Sequence, residues 1–202
     1  VNKKVVVFGA DGGIGSAVVK NLAEFDYHLT CVDCQQIDFS KSDSDEKIFQ
    51  LLTNINPEII VNAAGIFGSN DQTHDNTMNI NFGSNWSIVR YLMKNNTKSI
   101  RFIMLGSIAY QKGRSWAMVY TASKSALHSL WQGARDFFDN TSISIDLVNP
   151  QRVKTNMTGD RYNPDLQYLE PDTVAKKILE LIKQNDKSSC IDIEFNSVDT
   201  HS

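Results

Sequence analysis

The apolar positions of this chain change period several times, and each change marks an element. Val5-Val6-Val7-Phe8 is a continuous β-branched and aromatic run stopped at Gly9, the pattern of a strand buried on both faces of a parallel sheet. Ile14, Val18, Leu22 and Phe25 follow at spacings of four, four and three, which places an amphipathic helix after the glycines. Strand and helix then keep alternating: strand 29–33, helix 43–53 with Ser42 or Ser44 as N-cap, strand 58–62, a long helix 77–94, strand 100–105, a second long helix 119–140 and strand 143–148. After an irregular stretch, Pro171 opens a helix to residue 184, and residues 190–195 form the closing strand. Strands separated by helices of this length specify right-handed crossovers, so the pattern predicts an α/β protein on a doubly wound parallel sheet. Such sheets bind ligands beyond the carboxyl ends of their strands, which directs attention to the loops after residues 8, 33, 62, 105 and 148.

Composition narrows the possibilities. The 202 residues, 41% of them hydrophobic, carry no repeat, linker or low-complexity stretch, so residues 1–202 are expected to form one domain. The chain starts at Val1 rather than methionine, which suits a domain excised from a longer polypeptide as well as processing or trimming. Twenty basic against twenty-three acidic side chains lack the excess of a phosphate-backbone binder, so no nucleic-acid partner is expected. No apolar run approaches the roughly 18 residues of a membrane span or forms a signal sequence, and the expectation is a cytoplasmic protein without a membrane partner. Cys31 and Cys34 form a C-x-x-C, but Cys190 stands alone and the histidines lack ligand spacing; the cysteines are read as reduced, buried and structural, with no metal.

The first carboxyl-end loop is Gly9-Ala10-Asp11-Gly12-Gly13-Ile14-Gly15. Following a buried strand and opening a helix, it can bring backbone amides and the positive helix end against a diphosphate. Eighteen residues after Gly15, Asp33 ends the second strand, where a carboxylate can accept ribose hydroxyls and repel a 2′-phosphate. That favours NAD, while Lys41 is near enough to keep NADP open. Tyr120 and Lys124, four apart at a helix start, share one face, and Ser107 follows the strand 100–105.

With these residues in view the chain resembles the short-chain dehydrogenase/reductase family in its single-domain form. The matching segments are GADGGIG at 9–15, NAAG at 62–65, INF at 80–82, the serine of LGSIA, YTASK at 120–124 and NPQRVKT at 149–155. The resemblance implies a Rossmann fold, a nicotinamide cofactor, and interconversion of a ketone and a secondary alcohol on a small polar substrate. It implies Tyr120 as proton donor or acceptor, Lys124 lowering its pKa and holding the nicotinamide ribose, and Ser107 hydrogen-bonding the carbonyl oxygen. Asn81 would organise a water linking Lys124 to solvent. Gly9, Asp11, Gly13, Ile14, Gly15, Asp33, Asp38, Asn62, Ala63, Ala64 and Gly65 would line the cofactor, with Asp38 at the adenine. Pro150, Val153 and Thr155 would lie along the nicotinamide.

The sequence also departs from the family. Only four residues separate Asp33 from Asp38, so the usual second helix-strand unit is missing and about six strands are expected. Ser84 and Gln151 stand where glycines are common. The short connection and the run Asn56 to Ala64 are similar to sugar-nucleotide reductases and epimerases of the extended family, but only 78 residues follow Lys124, too few for their second domain. A dinucleotide-binding regulatory domain without turnover is the other alternative. Lys112, Arg114, Arg152, Lys154 and Arg161 form a basic cluster in the loops, read either as solvated charge or as a site for an anionic substrate, with Arg114, Arg152 and Lys154 as substrate candidates. The stretch 149–152 resembles the reductase half of two-domain CDP-ribitol-forming enzymes, which implies ribulose 5-phosphate. Tyr110, Trp116, Met118 and Tyr162 are candidates for the pocket wall. Leu127, Leu130, Trp131 and Phe138 are candidates for the interface of a homodimer or homotetramer.

Overall fold

The computed structural model describes residues 2–68, 74–95, 98–184 and 187–195. Val5 to Phe8 leave strand β1 (Lys4–Phe8) no solvent face, because all four side chains are fully buried. The two-residue period of the strand sends Val6 and Phe8 into one apolar layer and Val5 and Val7 into the other. The same division holds along a six-stranded, all-parallel sheet of order β2-β1-β3-β4-β5-β6, completed by β2 (His28–Val32), β3 (Ile59–Asn62), β4 (Ile100–Leu105), β5 (Ile143–Pro150) and β6 (Cys190–Ile193). Helices α1 (Gly13–Leu22) and α6 (Pro171–Lys183) cover one face; α2 (Ser44–Ile55), α4 (Ser84–Lys94) and α5 (Met118–Phe138) cover the other.

Strand order reverses between β1 and β3, and registers Phe8 with Val32, Phe8 with Asn62 and Leu105 with Val148 bring the carboxyl ends to a common rim. Gly9, Asp33, Ala63 and Gly106 therefore begin their loops side by side, level with Asn149 near the end of β5. Residues 33–43 run straight from β2 to α2, so the sheet has the six strands expected from the short Asp33-to-Asp38 spacing.

Four expectations need correction. The helix expected over 77–94 is three pieces: α3 (His74–Met78), a π-helical turn (Asn79–Gly83) and α4. Asp43, not Ser42 or Ser44, precedes α2, and it makes no side-chain cap. Phe25 lies beyond α1 and is 38% exposed. The cysteines are free but exposed rather than buried, because Cys31 and Cys190 lie on the edge strands β2 and β6 and Cys34 lies in the turn after β2.

The candidate interface residues are corrected as well. Leu127, Trp131 and Phe138 belong to the core layer under α5, where Trp131 Nε1 donates to the Ile145 carbonyl at 2.8 Å, and Leu130 packs against the same layer. The exposed large side chains of these two helices are Phe137, Trp86 and Met93. Among the described residues no helix is long and apolar enough to cross a membrane, and no group of three His, Cys, Asp or Glu side chains could hold a metal.

Candidate active site

The turn after β1 is built around missing side chains. Gly9 has φ +69°, a left-handed backbone that glycine adopts without strain. A Cβ on Gly15 would stand 1.9 Å from the Gly9 carbonyl oxygen, and one on Gly13 would stand 2.5 Å from Thr155 Cγ2. These contacts let α1 start hard against β1. Gly12, its N-cap, offers no side-chain acceptor, so the first N–H groups of α1 remain open to an anion. Thr155 of the loop after β5 thus packs against the same turn.

Next to this turn a cavity of about 270 Å³ is lined by Gly9, Asp11, Gly12, Asp33, Asp38, Ala63, Ala64 and Gly65. Three carboxylates and no cation line it. One oxygen of Asp33, Oδ1, already accepts the N–H groups of Gln35 and Gln36 at 2.9 and 3.1 Å, so Oδ2 is the atom left for a ribose. Asp38 Oδ1 is similarly engaged by the N–H and hydroxyl of Ser40, bonds that hold its carboxyl below the usual range. The glycine cradle, the open helix end and the acidic wall fit a dinucleotide.

The reacting groups gather at the ends of β4 and β5. Ser107 leaves β4 in extended conformation; its N–H donates to Asn149 Oδ1 at 3.1 Å, and its Oγ accepts from Ala109 N–H at 3.2 Å while hydrogen-bonding Tyr120. Asn149 is in turn fixed by donating to Asp192 Oδ1 at 2.9 Å. Tyr120 and Lys124 face inward from the first turns of α5. The Lys124 side chain is buried, its Nζ donates to the Leu105 carbonyl at 3.0 Å, and Nζ stands 5.8 Å from the Tyr120 ring centre. Burial pulls its pKa down from 10.5 to about 8. Enclosure also raises the Tyr120 pKa, against the hydrogen bond from Ser107 and the charge of Arg161, which both favour the phenolate. Desolvation therefore dominates, and the lowering influences on the phenol come from Ser107 and Arg161 rather than from Lys124.

Asn81 sits in the π-helical turn. Its Oδ1 accepts from Ile66 N–H at 2.9 Å, its Nδ2 donates to the Ile66 carbonyl and to Ser123 Oγ at 3.0 Å each, and its main-chain carbonyl accepts from Asn85 Nδ2 at 3.0 Å. The side chain thus ties the loop after β3 to α5. A Cβ on Gly65 would meet Asn81 Oδ1 at 3.4 Å and Lys124 Nζ at 3.8 Å, so the three residues converge. Asn62, buried at the end of β3, donates to Ser84 Oγ at 2.9 Å and accepts from Ala64 N–H, steadying the strand end. Here Ser84, in place of a glycine, supplies a hydrogen-bond partner.

The substrate candidates separate. Arg114 lines a groove with Met118, Ala122 and Ser125 on the flank of α5 opposite Tyr120 and Lys124. Arg152 donates to the Gln167 carbonyl and covers the Phe195 ring, and Lys154 is exposed with its N–H on the Leu169 carbonyl. None of the three touches the Ser107–Tyr120 cluster. Val153 bridges to Leu169, and Pro150 ends β5. Tyr110 bonds Asp192 and stacks on His128 rather than on Tyr120, whereas Trp116 stacks on Phe67, which packs on Tyr120. Tyr162 packs on Tyr168, and both Tyr162 and Met118 are largely exposed. Phe67 is not among the sequence candidates and has no motif around it; only its place two residues past Gly65, the end of NAAG, hints at it.

Comparison with known proteins agrees with this geometry. The chain is 24% identical over 217 residues to carbonyl reductase family member 4 of Xenopus laevis, covering 91% of this chain and 92% of that protein. It is 29% identical over 94 residues to the bifunctional ribulose 5-phosphate reductase/CDP-ribitol pyrophosphorylase Bcs1 of Haemophilus influenzae, but these are 46% of this chain and 20% of that protein. Among solved structures, a 4-hydroxyisoleucine dehydrogenase complexed with NADH superimposes with a TM-score of 0.84 at 20% identity, covering 96% and 97% of the two chains. A short chain dehydrogenase of Burkholderia cenocepacia in complex with NADP gives 0.79 at 16% identity over 94% and 88%. The short chain dehydrogenase family model matches residues 34–165, which include Ser107, Tyr120 and Lys124. A Rossmann sheet, a glycine turn shaped for a dinucleotide and these matched residues lead to one conclusion: the chain belongs to the short-chain dehydrogenase/reductase family and is an NAD(P)-dependent oxidoreductase.

Proposed function

We propose that the protein interconverts a ketone and a secondary alcohol on a small polar substrate, with Tyr120 moving the proton. The observation that carries this reading is the convergence of Ser107, Tyr120 and Lys124, with Ser107 bonded to the phenol and the Lys124 ammonium buried beneath it. The nicotinamide, when bound, supplies or accepts the hydride. Tyr120 donates its proton to the carbonyl oxygen in reduction and removes it in oxidation. Ser107 Oγ donates to that oxygen as negative charge develops. Lys124 holds positive charge next to the phenol, and Asn81 fixes the loop and helix on either side of it. Gly9, Gly13, Gly15 and the start of α1 bind the diphosphate, Asp33 the adenosine ribose, and Val153 and Thr155 the nicotinamide side.

The preferred cofactor in this reading is NAD, because the adenosine cavity presents Asp11, Asp33 and Asp38 to a 2′-phosphate and no lysine or arginine. Asp33→Asn is expected to move the kcat/KM ratio from NADH toward NADPH by about 10- to 100-fold, the worth of one charge-assisted hydrogen bond to a ribose. An unchanged ratio would reject Asp33 as the discriminating group.

The specific substrate we put forward is ribulose 5-phosphate. It is supported by the partial match to the Bcs1 enzyme, named as a ribulose 5-phosphate reductase. The test is oxidation of NADH or NADPH, followed at 340 nm in wavelength, with ribulose 5-phosphate and a panel of neutral and charged ketones. Turnover of any ketone supports the oxidoreductase reading, and preference for ribulose 5-phosphate supports the finer one. Cofactor binding without turnover across the panel would instead favour a regulatory domain.

A further inference from the structure

Of the five basic residues in the loops over the site, one is built into its wall. Arg161 follows β5 in a short helical turn (Gly159–Arg161), and its guanidinium carbon lies 4.0 Å from the centre of the Phe67 ring. Phe67 itself packs on Tyr120 with ring centres 4.8 Å apart and stacks on Trp116 at 5.8 Å and 24°. The loop after β3, the approach to α5 and the loop after β5 therefore meet around one aromatic ring, with the phenol, the indole and the guanidinium all against Phe67.

The polar contacts of Arg161 leave it short of partners. One nitrogen, Nη2, donates to the Met157 carbonyl, which fixes the side chain in place. The side chain is exposed, and among the described residues no carboxylate pairs with it, whereas Arg101 pairs with Asp146 and Arg90 with Asp45. A guanidinium carbon 4.0 Å from an aromatic ring centre is shielded from water on that side while keeping most of its donors, which suits a planar or tetrahedral anion approaching from the solvent side. The charge is felt at the chemistry, since it favours ionisation of Tyr120, whose ring packs on the same Phe67.

We infer that Arg161, held on Phe67, is the specificity-determining residue for an anionic group on the substrate, so that the enzyme reduces ketones carrying a phosphate or carboxylate near the reacting carbonyl. This rests on the oxidoreductase reading above and replaces Arg114, Arg152 and Lys154 as the anion-reading residues. An anion at Arg161 leaves the carbonyl to reach Tyr120 and Ser107 on the near side of Phe67. Trp116, 58% exposed, stacks on Phe67 at the solvent side of the site.

The test compares matched substrates with and without charge: dihydroxyacetone phosphate against dihydroxyacetone, and acetoacetate against acetoacetamide. In the wild-type protein the charged member of at least one pair is favoured in kcat/KM. Arg161→Gln lowers that charged-to-neutral ratio by about 30- to 100-fold, the usual worth of a charge-assisted hydrogen bond. Arg161→Lys, which keeps the charge, retains the preference to within about tenfold. The pair affected distinguishes phosphate from carboxylate. A ratio that moves less than threefold in both pairs overturns the proposal, and so does a loss in Arg161→Lys as deep as in Arg161→Gln, which would make the effect one of packing on Phe67. Binding is read independently of turnover from tryptophan fluorescence, titrating the NAD-saturated protein with the same four compounds. If no ketone is turned over, the oxidoreductase reading fails, and a charged-to-neutral affinity ratio that Arg161→Gln abolishes still upholds the anion site.

Discussion

Tyr120→Phe lowers kcat for ketone reduction by about 10³-fold while NADH binding, measured by fluorescence, stays within about threefold. The substitution removes one hydroxyl and keeps the ring, so the contact with Phe67 at 4.8 Å survives and the wall of the site is preserved. What disappears is the proton that enclosure keeps on the phenol. Desolvation raises the Tyr120 pKa, and the hydrogen bond from Ser107 and the charge of Arg161 work in the opposite direction without overcoming it. At neutral pH the group is therefore a phenol, which is the form that reduction of a ketone requires. Oxidation of the alcohol requires the phenolate, so its rate is expected to climb with pH up to the raised pKa, whereas reduction declines only when the phenol ionises. Rate–pH profiles in the two directions check this. If turnover survives in Tyr120→Phe, another group donates the proton; if both directions share one pH optimum near neutrality, the phenol is not the group that titrates.

Much of this arrangement is legible in the chain because it depends on short-range rules. Val5 to Phe8 can only be a strand with two buried faces, and the alternation of such runs with helical periods leaves few topologies besides the observed order. The four-residue spacing of Tyr120 and Lys124 fixes their common face once α5 forms. What escapes the sequence is decided at longer range. The π-helical turn at Asn79–Gly83 keeps a helical hydrophobic period, and only the side-chain bonds of Asn81 and Asn85 mark it. Leu127, Trp131 and Phe138 suit a subunit interface as well as a core, and the choice is made by the underlying strands, which already place Ile145 and Leu147 against α5. Arg152 and Arg161 look alike in a list of loop cations. Their roles diverge because Phe195 lies beneath one and Phe67 beneath the other. The exposure of Cys31 and Cys190 follows from the edge position of β2 and β6, which no local pattern states.

Lys124→Met is expected to make the protein more stable and far less active. The Lys124 side chain is 5% exposed, and burial depresses its pKa from 10.5 to about 8. Below pH 8 the folded protein must carry an ammonium that would rather be in water, a penalty of about 3 kcal/mol at roughly 1.4 kcal/mol per pKa unit. Methionine fills similar space without the charge. It leaves the Leu105 carbonyl without its donor, which returns about 1 kcal/mol, so the net gain at pH 7 is about 2 kcal/mol and the melting temperature rises by about 4–8 °C. Between pH 8 and 10.5 the unfolded chain holds more protons at this lysine than the folded one, so wild-type stability climbs through that window. The advantage of the variant shrinks correspondingly, is gone at about pH 9.5, and by about pH 10.5 the variant is the less stable protein by about 1 kcal/mol, the worth of the lost bond to the Leu105 carbonyl. Activity moves the other way: without the ammonium the phenol loses its cationic neighbour, and kcat falls by about 10²-fold or more. Denaturant unfolding of both proteins at pH 7 and pH 10 gives the comparison directly. An advantage that stays flat across those pH values would mean that the Lys124 amine is solvated in the folded protein. In that case its charge is screened from Tyr120 by water, and the buried ammonium no longer accounts for the chemistry of the phenol.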